Sequence, residues 1–211
     1  MQNALRLIFF LLVRAFVLVF LGMQVRRRNL LPATGPAIVV ANHNSHLDTL
    51  VLISLFPLHL LPRVRPVAAA DYFLKNRFLA WFSTKVIGII PMIRGHASKH
   101  FDPLAPCHEA LARGDILVLF PEGTRGEPEK LEHFKKGIAY LAEKWPQVPI
   151  TPVFLHGLGK ALPRGEFLLV PFFCDVFVGE ALTFHDDKNI FLDDINSRFK
   201  TLADEGHFPA W

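Results

Sequence analysis

The chain has 211 residues, and its length suits one domain with a substantial core rather than two domains. Its two cysteines lack metal spacing and are too few for a disulfide framework, which excludes a small disulfide-stabilised scaffold. A net charge of +4 with 51% hydrophobic residues, including 20 Phe against 2 Tyr, suits a nucleic-acid partner or an anionic membrane, and the order of the apolar residues favours the membrane.

Residues 5–25 predict an apolar helix, and three arginines follow it directly. Four polar residues share one narrow stripe of the helical wheel: Asn3, Arg6, Arg14 and Gln24. We expect a monotopic helix in the membrane interface, with its arginines reaching out to lipid phosphates and the arginine triplet on the cytoplasmic side. We therefore divide the chain into a membrane-anchoring segment with its basic flank, 1–28, and an α/β domain, 29–211.

Other interpretations of this segment fit less well. A spanning helix is long enough, but it would place Arg14 within the lipid, which is costly. A helix packed in a soluble core normally shows a wider polar face. A signal peptide is disfavoured because Arg14 interrupts the apolar region and no small-residue cleavage site precedes the arginines.

Residues 37–41 predict a short buried strand that leads into a polar strand-to-helix turn. Asp48 could accept a hydrogen bond from one imidazole nitrogen of His43, leaving the other nitrogen to act as a general base. His46 is the rival base, but its spacing of two from Asp48 suits the geometry less well. Ser45 and Asp48 also fit a capping box that opens a helix. A metal site at His43, His46 and Asp48 is a further alternative, without a fourth ligand.

The rest of the chain alternates between strand and helix patterns. Strands are predicted at 64–70, 87–93, 116–120, 149–155, 167–170 and 172–178, with the last two as a hairpin across Pro171. Helices are predicted from the turn to 56 and at 71–81, 98–113, 134–145 and 190–202. This order predicts an α/β fold with a mostly parallel central sheet flanked by helices, whose polar loops share one edge. The dense apolar residues of 72–82 favour core packing over an acyl groove or membrane contact.

A second polar loop follows the strand at 116–120. Arg94, Arg125 and the backbone amides of Gly123 and Thr124 could bind a phosphate group. Glu122 is unusual in an anion site, where it could position Arg125 or a glycerol. Because no Gly-x-Ser-x-Gly elbow is present, a base here would activate the hydroxyl group of the substrate itself.

Four ordered blocks within residues 38–153 give a specific resemblance. They are Asn42-His43-x4-Asp48, Ile90-Pro-Met-Ile-Arg94-Gly95, Phe120-Pro-Glu-Gly-Thr-Arg125 and Val148-Pro-Ile-Thr-Pro-Val153. Together they resemble the blocks of the glycerolipid acyltransferases, and most of all those of the bacterial 1-acylglycerol-3-phosphate (lysophosphatidic acid) acyltransferases.

The resemblance implies a role for each matching residue. His43 is the general base, Asp48 orients it, and Pro152 belongs to a block linked to the acyl side or to the architecture of the site. The glycerol phosphate of the acceptor is bound by Arg94, Glu122, Gly123, Thr124 and Arg125. The resemblance implies no metal and no cofactor, and the co-substrate is acyl-CoA or an acyl carrier protein thioester.

We therefore predict a membrane-bound O-acyltransferase of phospholipid biosynthesis that converts lysophosphatidic acid to phosphatidic acid at the cytoplasmic side of the inner membrane. Alternatives are another lysolipid head group, a membrane lipid hydrolase that uses the same pair of residues, and a non-catalytic lipid-binding protein, against which the His43–Asp48 pair argues. The expected partners are an anionic membrane surface, the lysophospholipid and the acyl donor, with no nucleic acid. In a cytosolic compartment Cys107 and Cys174 are expected to be reduced, with a bridge as the alternative.

Overall fold

The computed structural model describes residues 2–45, 47–73, 76–93, 101–124, 133–161 and 173–208. Seven strands form one sheet: β1 Gly22–Arg26, β2 Ala37–Ala41, β3 Val64–Ala69, β4 Ile90–Met92, β5 Ile116–Leu119, β6 Ile150–His156 and β7 Phe173–Val178. Their order across the sheet is β1-β7-β6-β2-β5-β3-β4. The five strands from β6 to β4 are parallel, whereas β7 is antiparallel to β6 and β1 is parallel to β7.

Helices cover both faces of this sheet, so the prediction of a single α/β domain with a mostly parallel sheet is confirmed. The described helices are α1 Gln2–Phe20, α2 Leu47–Leu55, α3 Ala70–Phe73, α4 Arg77–Trp81, α5 Ala105–Ala112, α6 Gly137–Lys144, α7 Leu158–Ala161 and α8 Lys188–Asp204. One apolar core lies between the sheet and the pair α1 and α2. A second core lies on the opposite face, against α5, α6 and α8.

The central strand β2 explains the position of the polar turn. All five of its residues are buried, and alternate side chains enter the two cores, with Val39 in one and Val40 in the other. Such a continuous apolar run is typical of a parallel strand covered on both faces. Because β2 and β5 are parallel neighbours, the loops after both strands emerge at the same edge of the sheet.

The predicted helix at 5–25 is too long at its C-terminal end. Helix α1 ends at Phe20, and Gly22–Arg26 instead forms the edge strand β1, paired with β7. An apolar run alone does not separate helix from strand, and the partner strand lies near the other end of the chain. The division at residue 28 stays a prediction, although segment 1–28 contributes a strand to the sheet. In the described parts of the chain, no helix combines the length and the apolar character needed to cross a membrane.

The expectation that the arginines of this helix reach out to lipid phosphates is wrong. Arg14 Nε donates to the carbonyl oxygen of Ser54 at 2.9 Å and its Nη2 donates to that of Phe56, while Arg28 Nε donates to that of Leu55 at 2.9 Å. These carbonyl groups lie at the C-terminal end of α2, where a helix leaves its last acceptors without intrahelical donors. Cations are favourable at this end of a helix, so the two arginines cap α2.

Arg6 also points into the protein. Its Nη2 donates to the carbonyl oxygen of Val64 at 2.6 Å, and the side chain is buried. Burial, and next the positive charge of Arg65, lower the pKa of Arg6 to about 10. The guanidinium group lies against Gly88, where a Cβ atom would be 2.6 Å from Arg6 Nη1. The φ of +85° at this position also favours glycine.

Arg6 and Arg14 of the predicted stripe thus face the domain. Gln24, by contrast, lies in β1 rather than in the helix. Apolar residues of α1, such as Leu18, are exposed.

The single helix predicted at 71–81 is also wrong. Helices α3 and α4 are separate, and the N-cap Asn76 restarts the helix by accepting a hydrogen bond from the backbone N–H of Leu79 at 2.7 Å. A π-helix, Phe82–Ile87, follows. Two aromatic side chains expected in the core are instead exposed, Phe78 by 74% and Trp81 by 47%. These side chains do not belong to the core.

Other boundaries differ from the predictions at their ends. Strand β4 is shorter than the predicted 87–93, because the π-helix occupies the start of that range and Gly88 ends it. Helix α5 begins at Ala105 rather than at 98. The predicted strand 167–170 and the proposed hairpin lie outside the described residues, as do His46, Arg94 and Arg125.

Candidate active site

The turn between β2 and α2 brings His43 and Asp48 together. Asp48 is completely buried in the first turn of α2. Its Oδ2 lies 2.8 Å from His43 Nδ1 and accepts backbone N–H bonds from Asn44 at 2.7 Å and from Ser45 at 2.8 Å. The bond from Ser45 is the carboxylate half of the predicted capping box. One carboxylate oxygen therefore both closes the turn and orients the imidazole.

The imidazole ring is held on a second side by an aromatic residue. The ring of His43 stacks on that of Phe120, with the centroids 4.2 Å apart and the planes inclined by 25°. The His43 side chain remains 20% exposed, whereas Asp48 has no exposure. With a proton on Nδ1 facing the carboxylate, Nε2 carries the lone pair, which is the form a general base requires. The predicted contact is present, and this arrangement can accept a proton from a hydroxyl group.

Asn42 fixes the backbone at the start of the turn, a role that sequence reasoning did not assign. Its side chain donates to the carbonyl oxygen of Leu155 at 2.8 Å and accepts from the N–H of Leu155 at 2.7 Å. The amide thus continues the pairing of β2 with β6 one residue beyond the strand. An asparagine directly after a buried strand, where the backbone ladder ends, is the signal that could have revealed it.

The second predicted loop lies beside the first. Glu122 is buried, and its Oε2 accepts a hydrogen bond from the backbone N–H of His43 at 3.4 Å. Gly123 has a φ of +71°, which favours glycine and lets another group approach its backbone closely. Thr124 is exposed. The structure therefore brings Glu122 and Gly123 to the His43 turn and leaves Thr124 at the surface beside them.

A lysine that sequence reasoning did not include also lies at this loop. Lys135 donates its backbone N–H to the carbonyl oxygen of Pro121 at 2.9 Å, and its side chain covers Gly123. The signal was available, because two consecutive lysines directly precede helix α6, whose positive end disfavours cations.

The remaining predicted positions are less informative. Pro152 is buried within β6 opposite Val40, and its carbonyl oxygen accepts from the N–H of Gly179 at 2.9 Å, which is an architectural position. Among the residues that the structure describes, no group of three His, Cys, Asp or Glu side chains could hold a metal ion. The expectation that no metal takes part stays a prediction.

Comparison with known proteins shows the family of the chain. A family model described as Acyltransferase matches residues 22–156, which include β2, the His43 turn, β5 and the Glu122 loop. The chain belongs to this acyltransferase family. The match begins with β1 and ends with β6, so it covers the central strands of the sheet.

Individual acyltransferases are similar over much of this range. The chain is 32% identical over 138 residues to a chloroplastic 1-acyl-sn-glycerol-3-phosphate acyltransferase of Brassica napus, covering 65% of this chain and 38% of the relative. It is 31% identical over 146 residues to the alpha form from Mus musculus, covering 69% and 49%. The chain thus spans half or less of the length of these relatives.

A solved structure has the same fold. The crystal structure of the 1-acyl-sn-glycerophosphate acyltransferase PlsC from Thermotoga maritima matches with a TM-score of 0.74 and 21% identity, covering 94% of this chain and 78% of that chain. The structural similarity thus covers more of the chain than the family match does.

Proposed function

We propose that the protein is an O-acyltransferase that moves a fatty acyl group from a thioester to the free hydroxyl of lysophosphatidic acid, giving phosphatidic acid. One observation carries the proposal: in a chain of the acyltransferase family, His43 Nδ1 lies 2.8 Å from an oxygen of the fully buried Asp48. The names of the similar proteins support this acceptor, and the donor would be acyl-CoA or an acyl carrier protein.

In the proposed reaction His43 Nε2 takes the proton of the acceptor hydroxyl as its oxygen attacks the thioester carbonyl carbon. Collapse of the tetrahedral intermediate breaks the carbon–sulfur bond, and the departing thiolate takes the proton from the imidazolium, giving a free thiol. Asp48 stabilises the transient imidazolium. No covalent bond to the enzyme forms, and the mechanism needs no metal or cofactor.

The acceptor would be held by its phosphate so that its hydroxyl lies at His43. We assign this binding to Arg94, Glu122, Gly123, Thr124 and Arg125. The hydrogen bond between Glu122 and the His43 backbone supports the assignment, because it couples the loop to the base. Positioning of this kind can supply several kcal/mol of barrier reduction.

The substitution His43→Ala tests the mechanism. It should abolish formation of phosphatidic acid, measured by mass spectrometry with purified protein, lysophosphatidic acid and both thioester types. His59→Ala, which removes an exposed histidine, should keep full activity. Turnover by the His43→Ala variant, or thioester consumption without a new lipid product, would refute the proposal. Arg125→Ala should mainly raise the KM for the acceptor; a change in the KM for the donor alone would overturn the phosphate assignment.

We propose further that the protein acts on the cytoplasmic side of an anionic inner membrane, held by the outer face of α1. Leu18 and Val19 are exposed by 76% and 75%, and the exposed apolar residues of α1 form a surface of the kind that binds membranes. Aromatic contacts extend this surface, since the ring centroid of Phe82 lies 5.2 Å from that of Phe9 in α1 and 6.3 Å from that of Phe78 in α4. Because the arginines of α1 bind the domain, the attachment rests on apolar contact.

Vesicle flotation tests this attachment. Burial of one leucine side chain contributes about 1.5–3 kcal/mol, so the double variant Leu12→Asp/Leu18→Asp should lower partitioning into phosphatidylglycerol-containing vesicles by about 100-fold or more. Ile190→Asp, on the other side of the sheet, should leave partitioning unchanged. Equal flotation of all three proteins would show that α1 does not attach the protein.

A further inference from the structure

Lys135 is held in a fixed position beside the Glu122–Gly123 loop. The preceding residue, Phe134, packs edge-on against Phe199 of α8, with the ring centroids 4.8 Å apart. The backbone N–H of Lys135 donates to the carbonyl oxygen of Pro121 at 2.9 Å. An apolar anchor on one side and a backbone hydrogen bond on the other therefore direct the lysine toward the loop.

The side chain of Lys135 lies directly over Gly123. A Cβ atom built on Gly123 would be 2.7 Å from Lys135 Nζ and 3.0 Å from its Cδ. The next residue back along the loop, Glu122, accepts the hydrogen bond from the His43 backbone. The ammonium group therefore lies over Gly123, the neighbour of the residue that contacts the His43 turn directly.

The ammonium group is available for an anion. Lys135 is exposed, and its Nζ has no hydrogen bond or ion pair with any residue that the structure describes. Helix α6 begins two residues later and has no acidic residue in its first turn. Its positive end repels the ammonium group, so the position is unfavourable for the free protein and favourable once an anion binds.

We propose that Lys135 binds the phosphate group of the acceptor. This inference rests on the proposed function and adds a residue to its phosphate site. The acceptor is favoured over the donor because a glycerol unit alone separates its phosphate from the reacting hydroxyl at His43. In coenzyme A or a carrier protein, the whole pantetheine arm separates the nearest phosphate from the thioester.

Steady-state kinetics of Lys135→Ala, Lys135→Arg and Lys136→Ala test the assignment. Lys135→Ala loses one charge-assisted bond, so the KM for lysophosphatidic acid should rise about 10-fold with the KM for the donor unchanged. Lys135→Arg should stay within about 3-fold of the wild type, since it keeps the charge. Lys136→Ala removes the neighbouring exposed charge and should change the KM less than 2-fold. With a monoacylglycerol acceptor, which lacks phosphate, wild type and Lys135→Ala should be equal.

An unchanged KM for lysophosphatidic acid, a rise in the KM for the donor alone, or an equal loss with monoacylglycerol would overturn the assignment. Titration with glycerol 3-phosphate, followed by NMR, needs no turnover and separates the two proposals. Weaker binding by Lys135→Ala but not by Lys136→Ala, in a protein without acyl transfer, would refute the enzyme function and keep the phosphate site. Acyl transfer with equal titrations of all variants would refute the role of Lys135 alone.

Discussion

The substitution Asp48→Asn removes one charge and almost no volume from the centre of the proposed site. An asparagine oxygen in the place of Oδ2 still accepts bonds from the backbone N–H groups of Asn44 and Ser45 and from the imidazole Nδ1–H of His43, but without charge assistance. A hydrogen bond to a charged group contributes about 1 kcal/mol more than a neutral one, so three bonds predict a loss of about 3 kcal/mol in the free energy of unfolding. For a chain of this size the melting temperature falls by about 2–4 °C per kcal/mol.

The effect on catalysis comes from the transition state. An imidazolium and a carboxylate about 4 Å apart attract each other by about 4 kcal/mol at an effective dielectric constant of about 20. Loss of this attraction should lower kcat/KM about 10³-fold. The assay is acyl transfer to lysophosphatidic acid at a temperature where circular dichroism shows the variant to be folded.

A double-mutant cycle shows whether Asp48 acts through His43. The cycle is measured in the free energy of unfolding: if the two side chains are coupled, Asp48→Asn should cost about 1 kcal/mol less in the His43→Ala background than in the wild type, because the bond to the imidazole is already absent. Additive losses in the free energy of unfolding would mean that the two side chains act independently. That outcome would refute the coupled pair, even if each single variant were inactive.

Three further predictions concern packing elsewhere in the domain. Gly88→Ala places a Cβ 2.6 Å from the buried guanidinium of Arg6 at a φ of +85°, so chemical denaturation should show a free energy of unfolding lower by about 2 kcal/mol or more. Gly137→Ala is the control, because its new Cβ meets nothing within 4 Å and should not destabilise the protein. Equal stabilities of the two variants would contradict the placement of Arg6. Burial, and next the charge of Asp102, raise the pKa of Cys107 to about 12. Iodoacetamide at pH 8 should therefore leave Cys107 unmodified in the native protein, and alkylation found by peptide mass mapping would contradict this. Arg14→Met removes two hydrogen bonds to the C-terminal end of α2 and should lower the free energy of unfolding by about 1.5–3 kcal/mol; unchanged stability would rule out the cap.

Local patterns in the sequence were sufficient for much of the fold. Buried parallel strands read as continuous apolar runs, so β2 and β5 were predicted with nearly correct bounds. The contact of His43 with Asp48 was also predictable, because only five positions separate the two residues and a strand-to-helix turn closes that distance. The shared edge of the sheet followed from the parallel order of the strands.

Contacts between distant segments could not be read in the same way. Gly22–Arg26 continues the apolar character of α1, and only pairing with β7 makes it a strand. Arg6 and Arg14 both face the domain, and this direction could not be predicted, because the acceptors for Arg14 arise from the end of a helix 40 residues away. Phe78 looked like a core residue because composition alone does not say which side of a short helix is covered.

The position of Lys135 depends on the tertiary structure for a similar reason. Its contact with Gly123 joins segments on either side of 125–132 and is set by the anchoring of Phe134 on α8. Lys135 lies outside the motif loops, which contain the arginines and glycines typical of a phosphate site. The lysine pair at a helix start is the available signal, and by itself it indicates only the beginning of α6.

The joint between α1 and β1 has a consequence for how the protein would work on a bilayer. Only Leu21 separates the end of α1 from the start of β1, and that residue is 2% exposed. A flexible linker would let an attached domain take many heights and tilts above the lipid. The direct connection of α1 to β1 would instead hold the domain at one height and tilt. If α1 lies in the interface, the height of His43 above the bilayer would be set by the distance between α1 and His43 within the domain. Acceptors would then be selected partly by how far their hydroxyl groups stand from the membrane plane, independently of any pocket that surrounds the head group.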